Sequence, residues 1–289
     1  MSPMLLREAL RTGIETLIED AIPSPQLAAE LLLMYVFRCD RSYLYSHPEQ
    51  PVPPEAADQY FRLIAERAAG RPTQYITGHQ EFWDLDFEVT PNVLIPRPET
   101  EHLVESGLEL VRDGAGCRVV DVGTGSGCIA LAFASELRHA EVHATDISPG
   151  ALEVARRNAA RLGFAERVQF WEGDLLMPLL QEGYAGSFDL AISNPPYVGD
   201  HEIHLVQREV REFEPRLAWH GPGDGNEFYR RLLPQALQLL RPSGHIVVEI
   251  GYLKAEAVTE LFGEGWTGIK VSPDLAGIPR VVAATKSSL

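Results

Sequence analysis

The sequence contains little cysteine. Its 289 residues include 3 cysteines, Cys39, Cys117 and Cys128, which lie far apart and lack the spacing of metal ligands. An odd number of scattered cysteines argues against a disulfide framework and favours a reducing compartment. The histidines form no His-Glu-x-x-His pattern, so we expect no catalytic metal.

Basic residues are also scarce. The chain has 41 Asp and Glu against 25 Lys and Arg, a formal charge of −16. Arginines cluster only in local pairs, such as Arg156-Arg157 and Arg230-Arg231, which we interpret as solvated helix faces. Nucleic-acid-binding proteins usually carry a basic stripe, so the composition argues against a polyphosphate substrate. An acidic protein would suit a partner with a basic surface, although acidity also serves solubility.

Long apolar runs are missing as well. No stretch approaches the roughly 20 apolar residues that span a bilayer. The first residues also lack the basic-then-apolar pattern of a secretory signal. We therefore expect a cytoplasmic protein with no membrane partner.

A glycine-rich loop is the first motif that the sequence does contain. Residues 119–132 are typical of a buried strand, a tight turn and the start of a helix, which together form a nucleotide-type cofactor loop. Its candidate cofactor-binding residues are Asp121, Gly123, Thr124, Gly125, Ser126 and Gly127. The spacing is Gly-x-Gly-x-Gly, without the Gly-x-Gly-x-x-Gly that usually holds a pyrophosphate. S-adenosylmethionine is therefore favoured over a dinucleotide.

Two further predicted strands end in acidic residues. The strand over 141–146 ends at Asp146, about 20 residues beyond the loop, where an acid commonly binds ribose hydroxyls. The alternative is that Asp146 caps the helix that Pro149 begins. The strand over 168–172 leads to Asp174 and Leu175, which we expect near an adenine edge.

The second motif, Asn194-Pro195-Pro196-Tyr197, follows an apolar run at 188–192. Two prolines impose a rigid extended turn. The Asn194 side-chain carbonyl and the Pro195 carbonyl can accept both protons of one planar NH2 group, and Tyr197 offers a flat face for stacking. The alternative is a proline-rich turn that only ends a strand. Because ligands of open α/β sheets bind beyond the carboxyl ends of strands, we expect Asp121, Asp146, Asp174 and Asn194 to share one site.

With these motifs the chain resembles the protein-(glutamine-N5) methyltransferases that modify peptide-chain release factors. The resemblance covers nearly the whole sequence, and its other matching segments are residues 71–78, 81–83, 94–101, 213–216 and 249–251. The Asn-Pro-Pro-Tyr motif is shared with adenine-N6 DNA methyltransferases, so it is not specific alone. Residues 224–227, Asp-Gly-Asn-Glu, depart from the Asp-Gly-Leu of the family pattern in a loop that we expect to be peripheral.

The resemblance implies methyl transfer from S-adenosylmethionine, with S-adenosylhomocysteine as product, to the glutamine of the Gly-Gly-Gln motif in release factors. That activity would make the chain a protein-methylating enzyme of translation termination. Release factors would be its partners, and we expect a monomer without direct nucleic-acid contact. The alternatives are an adenine-N6 nucleic-acid methyltransferase and a module that binds without turnover.

The predicted fold class is α/β: a seven-stranded class I S-adenosylmethionine-dependent methyltransferase sheet with an N-terminal helical bundle domain. Helical periodicity predicts helices over 4–18, 25–37 with Ser24 as N-cap, and 54–69, so residues 1–78 form the bundle. A hairpin connector is expected over 79–95 and the methyltransferase domain over 96–289. Within that domain we predict helices 99–112, 149–162 and 227–240, and a final antiparallel pair of strands at 268–271 and 280–284. The bundle either recognises the release factor, as the resemblance implies, or only caps the catalytic domain.

The expected chemistry is direct transfer to an amide nitrogen. Hydrogen bonds from the substrate NH2 to Asn194 and the Pro195 carbonyl would direct its lone pair toward the methyl group, and no general base is recognisable. Arg97 would meet an acid or pair at a helix start, and Glu214 and Glu249 would support the turn.

Overall fold

A computed structural model of the chain describes residues 3–111 and 116–288. The described residues form two compact units. The helical unit contains the residues up to His79 together with Gln207–Phe213, and the α/β unit contains those within Gln80–Val206 and Glu214–Leu289. The predicted helix end at Arg112 lies outside the described residues, as do the outermost ends of both predicted domains.

The helices fall into an early and a late group along the chain. The early helices are α1 (Leu6–Glu19), α2 (Pro25–Phe37), α3 (Arg41–Ser46), α4 (Pro54–Ala68) and α5 (Thr73–Thr77). The late helices are α6 (Glu101–Leu110), α7 (Cys128–Glu136), α8 (Pro149–Leu162), α9 (Met177–Gln181), α10 (Arg208–Phe213), α11 (Arg216–Trp219), α12 (Glu227–Leu239) and α13 (Ala255–Thr259). Two 3-10 helices span Pro98–Thr100 and Asp200–Leu205.

The strands form a hairpin and a larger sheet. The hairpin pairs β1 (His79–Phe82) with β2 (Leu85–Glu88). The sheet contains β3 (Arg118–Val122), β4 (Glu141–Asp146), β5 (Val168–Glu172), β6 (Phe188–Ser193), β7 (Leu240–Glu249), β8 (Trp266–Pro273) and β9 (Pro279–Lys286).

The helical unit packs around α2. Leu32 and Leu33 of this helix are fully buried among apolar side chains of α1 and α4. The predicted bounds of α2 are confirmed, because Pro25 at its first turn suits the fixed proline φ. The predicted cap was wrong: Ser24 has a left-handed backbone, with φ of 49°, and its side chain makes no capping hydrogen bond.

A segment distant in sequence completes the helical unit. Helix α10 packs with the N-terminal helices, although the sequence places it inside the predicted methyltransferase domain. Arg67 of α4 is buried and donates to Glu209 of α10 at 2.6 Å and to the Arg71 carbonyl at 3.1 Å. A buried guanidinium needs a partner, so this ion pair ties α10 to the unit.

The seven-stranded sheet of the α/β unit has the order β5-β4-β3-β6-β7-β9-β8 among the described residues. Pairs from β5 to β7 are parallel, and β9 runs antiparallel to both β7 and β8. The predicted sheet and its final antiparallel pair are confirmed. Successive side chains of β3 point to opposite faces, so Val119 packs under α6 and α7 and Val120 packs under α9 and α12. No helix in the described ranges is both long and apolar enough to cross a bilayer.

We predict that the Arg67–Glu209 pair stabilises the helical unit. Glu209→Gln should weaken it by about 3 kcal/mol, because a buried guanidinium loses its counter-charge. Glu212→Gln on the same helix is the matched control, since Glu212 pairs with exposed Arg208 and its loss should cost about 0.5 kcal/mol or less. Amide hydrogen exchange of α4 measures the stability loss in each variant. Equal protection in the two variants would contradict a stabilising role for the Arg67–Glu209 pair.

Candidate active site

The glycine loop between β3 and α7 leaves its backbone open. Gly123 and Gly125 have φ of 75° and 56°, and a Cβ atom at either would meet no atom within 4 Å. Gly127 has φ of 86°, and a Cβ there would lie 3.2 Å from the Cβ of Ala155. The first two glycines therefore allow a ligand to approach the backbone, and the third lets α7 pack closely on α8.

Asp121 lies under this loop and is fully buried. Its Oδ2 accepts from the Thr124 hydroxyl at 2.6 Å and from the Ala130 backbone N–H at 3.2 Å. Its Oδ1 has no hydrogen-bond partner within the described residues. Burial raises the pKa of Asp121 to about 7, against the lowering effect of the two hydrogen bonds. This carboxyl joins the loop to the start of α7.

Asp146 holds the loop from the end of β4. Its Oδ2 accepts from the Gly125 backbone N–H at 2.9 Å, and its Oδ1 accepts from the Ser148 N–H at 2.9 Å. Burial raises the pKa of Asp146, and these hydrogen bonds oppose the rise. The alternative role as helix cap was wrong, because the Ser148 side chain caps α8 by accepting from Ala151 N–H at 3.2 Å.

Asp174 and Leu175 follow β5 as predicted. The Gly173 N–H donates to the Asp146 carbonyl at 2.9 Å, and a Cβ at Gly173 would lie 2.4 Å from Pro178. Asp174 forms an ion pair with Arg231 of α12. Leu175 has a left-handed backbone, with φ of 53°, and is buried. These contacts place a short turn next to Asp146.

Asn194 follows β6, and its amide is anchored on one side. Its Nδ2 donates to the Thr100 hydroxyl at 3.0 Å, and that hydroxyl donates to Oε2 of Glu249 at 2.7 Å. Burial raises the pKa of Glu249 to about 7. The interpretation of the motif as only a strand-ending turn does not account for this network.

The rest of the motif is packed against glycines. A Cβ at Gly251 would lie 2.7 Å from the Tyr197 ring, and the Tyr197 hydroxyl is one of the groups that lower the pKa of the Glu249 carboxyl. A Cβ at Gly221 would lie 2.6 Å from the Pro196 carbonyl, and one at Gly225 would lie 2.3 Å from the Tyr197 carbonyl. The expectation of a peripheral loop at residues 224–227 was therefore wrong, because Gly225 supports the turn directly.

A second brace lies at residues 93–97. The Glu214 carboxylate forms an ion pair with Arg97 and accepts from the Ile95 backbone N–H at 3.2 Å. Glu214 is nearly fully buried, so its charge needs both partners. Arg97 therefore meets an acid, which was one of its two predicted roles.

These elements surround a cavity of about 530 Å³. Of the predicted site residues, the cavity wall contains Gly123, Thr124, Gly125, Ser126, Asp146, Asp174, Leu175, Asn194 and Pro196. Four predicted residues lie outside the described lining, namely Asp121, Gly127, Pro195 and Tyr197. The first two brace the loop, and the Tyr197 ring packs on Gly251, so its stacking on a substrate stays a prediction.

Sequence reasoning missed several lining residues. Thr100, Thr145 and Leu217 line the cavity without having been assigned a role, and Arg231, which was interpreted as part of a solvated helix face, also lines it. Thr100 lies in a segment that carried the family resemblance, which was the available signal. Thr145 precedes Asp146 on β4, and nothing in its sequence context marks its hydroxyl.

The lining fits S-adenosylmethionine. Open backbone at Gly123 and Gly125 can face a ligand closely, and the Asp146 carboxylate can accept from hydroxyls. Thr145 Oγ1 belongs to this lining, is buried and has no partner among the described residues. A buried hydroxyl without a partner is suited to a ligand that carries hydrogen-bonding groups. Asp121 Oδ1 also lacks a partner among the described residues, but Asp121 lies beneath the loop and outside the lining. No cluster of three metal-ligating side chains occurs in the described parts of the chain.

The arginine pairs singled out in the sequence are largely neutralised. Arg157 pairs with Glu88, Arg230 with Asp224 and Arg231 with Asp174. Each cation has a carboxylate within contact distance, so these side chains provide no continuous basic stripe of the kind that binds phosphates.

Each of the two units contains a segment that matches a known domain family. Residues 8–78 match the PrmC N-terminal domain, and residues 113–265 match a methyltransferase domain. A relative from Koribacter versatilis, named release factor glutamine methyltransferase, is 48% identical over 98% of this chain and 99% of its own length. One of the same name from Moorella thermoacetica is 44% identical over 97% of this chain and 98% of its own length.

Solved structures share the fold at low identity. A methyltransferase from Pyrococcus furiosus superposes with a TM-score of 0.51 and 20% identity, covering 80% of this chain and 99% of that one. The N-terminal domain of human METTL16 superposes with a TM-score of 0.52 and 21% identity, covering 78% and 82%. These similarities show the fold alone.

We predict that Asp146 and Asn194 divide binding from catalysis. Asp146→Ala should weaken S-adenosylmethionine binding about tenfold or more, because a charged acceptor is lost. Asn194→Ala should leave that affinity within about twofold while lowering kcat about 100-fold. Calorimetric titration gives the affinities, and an equal loss in both variants would contradict the division.

We also predict a pH-dependent stability from Asp121. Its folded pKa of about 7 lies above its ordinary value of 3.8, so between these pH values the folded state retains a proton that the unfolded state has released. The free energy of unfolding should therefore fall as pH rises through this interval. Asp121→Asn should show a smaller fall, measured by urea unfolding at pH 5 and pH 8, and an unchanged slope would count against the raised pKa.

Proposed function

Because the chain belongs to the release factor glutamine methyltransferase family, we propose that it methylates the side-chain amide N5 of the glutamine in the Gly-Gly-Gln motif of class I release factors. The methyl donor is S-adenosylmethionine, and S-adenosylhomocysteine is the product. The observation that carries the proposal is the anchored amide of Asn194, which lies on the same cavity wall as the glycine loop and Asp146.

The proposed donor site uses the ends of β3, β4 and β5. When bound, S-adenosylmethionine supplies a methyl group on a sulfonium centre, which is open to attack by a weak nucleophile. The backbone at Gly123 and Gly125 would hold it, and Asp146 would accept hydrogen bonds from its hydroxyls. Asp174 and Leu175 would meet its adenine, while Asp121 and Gly127 keep the loop in shape.

The proposed acceptor site is the turn that Asn194 begins. An amide nitrogen is a poor nucleophile because its lone pair is delocalised into the carbonyl. Asn194 Oδ1 and the Pro195 carbonyl would accept the two N–H groups of the substrate glutamine, which turns the lone pair out of conjugation and toward the methyl group. An NH2 satisfies both acceptors, whereas a hydroxyl leaves one unmet at a cost of about 1–3 kcal/mol.

Positioning, rather than a strong base, supplies the catalysis in this proposal. The proton leaves after transfer, when the nitrogen carries positive charge and has become acidic. Pro196 supports the turn beside Asn194, and Tyr197 would present its ring to the planar amide. The Tyr197 hydroxyl stays protonated, because burial raises its pKa above the ordinary value of 10.0.

The helical unit is proposed to recognise the release factor. Residues 8–78 match the PrmC N-terminal domain, and the named relatives align over nearly the full chain, so the helical unit is a part that the family has in common. We further propose that the chain acts as a cytoplasmic monomer, with no direct nucleic-acid contact, since its formal charge of −16 would repel polyphosphates.

The alternatives are less well supported. Adenine-N6 methylation shares the Asn-Pro-Pro-Tyr motif but is not favoured, because the relatives that match nearly the full chain are named for release factor glutamine. A module that binds without turnover is not favoured either, since the relatives are named as methyltransferases.

The test is methyl transfer from labelled S-adenosylmethionine to a purified release factor. We expect label on the factor, mapped by mass spectrometry to the glutamine amide. The matched control is the same factor with the motif glutamine replaced by alanine, and duplex DNA is a second acceptor. Label on DNA, or on the alanine factor, would overturn the proposed substrate.

A further inference from the structure

The Thr100 hydroxyl is the central group of a buried hydrogen-bond chain. It accepts from Asn194 Nδ2 at 3.0 Å and donates to Glu249 Oε2 at 2.7 Å. Thr100 and Glu249 are each 2% exposed, so water does not compete for these bonds. Asn194 itself is half-buried and lines the cavity.

The number of protons on Thr100 and Glu249 fixes the direction of these hydrogen bonds. A threonine hydroxyl has one proton, and an ionised carboxylate only accepts. While Glu249 is ionised, the Thr100 hydroxyl donates its one proton to Glu249, so it can only accept a hydrogen bond from Asn194. The NH2 end of the Asn194 amide must therefore face Thr100, and its oxygen must face away. No donor in the described part of the chain occupies that oxygen.

The opposite orientation would harm the proposed chemistry. A flipped Asn194 would present NH2 to the NH2 of the substrate, so two donors would meet and no acceptor would hold the glutamine. A flipped amide would also place its oxygen against the Thr100 oxygen while Glu249 holds the Thr100 proton. Both effects disfavour the flip.

We propose that Thr100 and Glu249 are positioning residues that orient the Asn194 amide with its oxygen toward the substrate. This role rests on the proposed function, since it concerns how the same turn selects an NH2 group. It assigns a purpose to Thr100 and Glu249, which lie in two separate segments of the sequence that carry the family resemblance.

The ionisation of Glu249 is part of this role. Its carboxyl faces the Thr100 and Tyr197 hydroxyls, and the charges of Arg280 and Glu99 act on it from neighbouring segments. Burial raises the pKa of Glu249 to about 7, while Thr100 and Arg280 favour its ionised form. A protonated Glu249 can donate to Thr100, which frees the Thr100 proton for a flipped Asn194. Activity should then fall as pH falls through about 7.

A purely structural role would be a bond that only ties the start of α6 to the end of β7. Thr100→Val keeps the side-chain shape and removes the hydroxyl, while Thr100→Ser keeps the hydroxyl. Thr267→Val is the matched control, because it makes the same change at an exposed position of the edge strand β8.

In the first experiment, steady-state methyl transfer is measured for wild type and these variants, with a thermal unfolding scan of each. We expect Thr100→Val to lower kcat about tenfold, with KM for S-adenosylmethionine changed less than threefold, since an orienting hydrogen bond is worth about 1.4 kcal/mol. Thr100→Ser should restore kcat to within about twofold, and Thr267→Val should match wild type. Wild-type kcat in Thr100→Val would overturn the proposal.

In the second experiment, kcat is followed from pH 5.5 to 8.5 at saturating substrates. Wild type should show an acid limb near pH 7, and Glu249→Gln should lack it and stay at a low kcat. Saturation with both substrates separates this limb from a loss of donor binding at low pH. An acid limb that persists unchanged in Glu249→Gln would also overturn the proposal.

A failure of the proposed function can be distinguished from a failure of the orienting role of Thr100. If wild type transfers no methyl group to the release factor, the orientation is read from the Asn194 side-chain NH2 signals in ¹⁵N–¹H correlation spectra, assigned by their loss in Asn194→Ala. We expect slow hydrogen exchange in wild type and Thr100→Ser, and fast exchange in Thr100→Val. Equal exchange in all three would show that Thr100 does not hold the amide.

Discussion

The register of β3 with both neighbours is the constraint on which the site depends. Val122 of β3 pairs with Thr145 of β4, and Asp121 pairs with Ile192 of β6, all in parallel. Parallel strands end at one edge of a sheet, so the glycine loop, Asp146 and Asn194 emerge side by side. A slip of one residue would turn buried side chains to the opposite face, and the alternating cores above and below β3 prevent it.

Two buried carboxyls brace the site from below. Asp121 joins the glycine loop to α7, and Glu249 joins the start of α6 to the Asn194 turn through Thr100. Desolvation opposes the charge of each, and hydrogen bonds partly offset that cost. Buried carboxyls are uncommon in protein cores because their desolvation lowers stability. Here that cost accompanies fixed positions for the glycine loop and the Asn194 turn.

Local signals predicted many elements well. Helix α8 has its predicted bounds because Ser148 and Pro149 begin it and Gly163, with φ of 82°, ends it. Strands β4 and β5 also have their predicted bounds, Glu141–Asp146 and Val168–Glu172. Short segments such as α3, α9 and α10 were missed, because five or six residues carry too little periodicity to be seen. The grouping of α10 with the N-terminal helices depends on its contact with Arg67, which is 142 residues away from Glu209.

The sequence by itself determined the chemical groups of the site and their place at strand ends, because glycine, proline and strand periodicity act through neighbouring residues. Family membership agrees with that prediction. Only the tertiary structure decided how those groups are held: Asn194 meets Thr100 across 94 residues, and Thr100 meets Glu249 across 149. The orientation of an amide depends on which donor and acceptor face it, and no local pattern in the chain records a partner so distant in sequence.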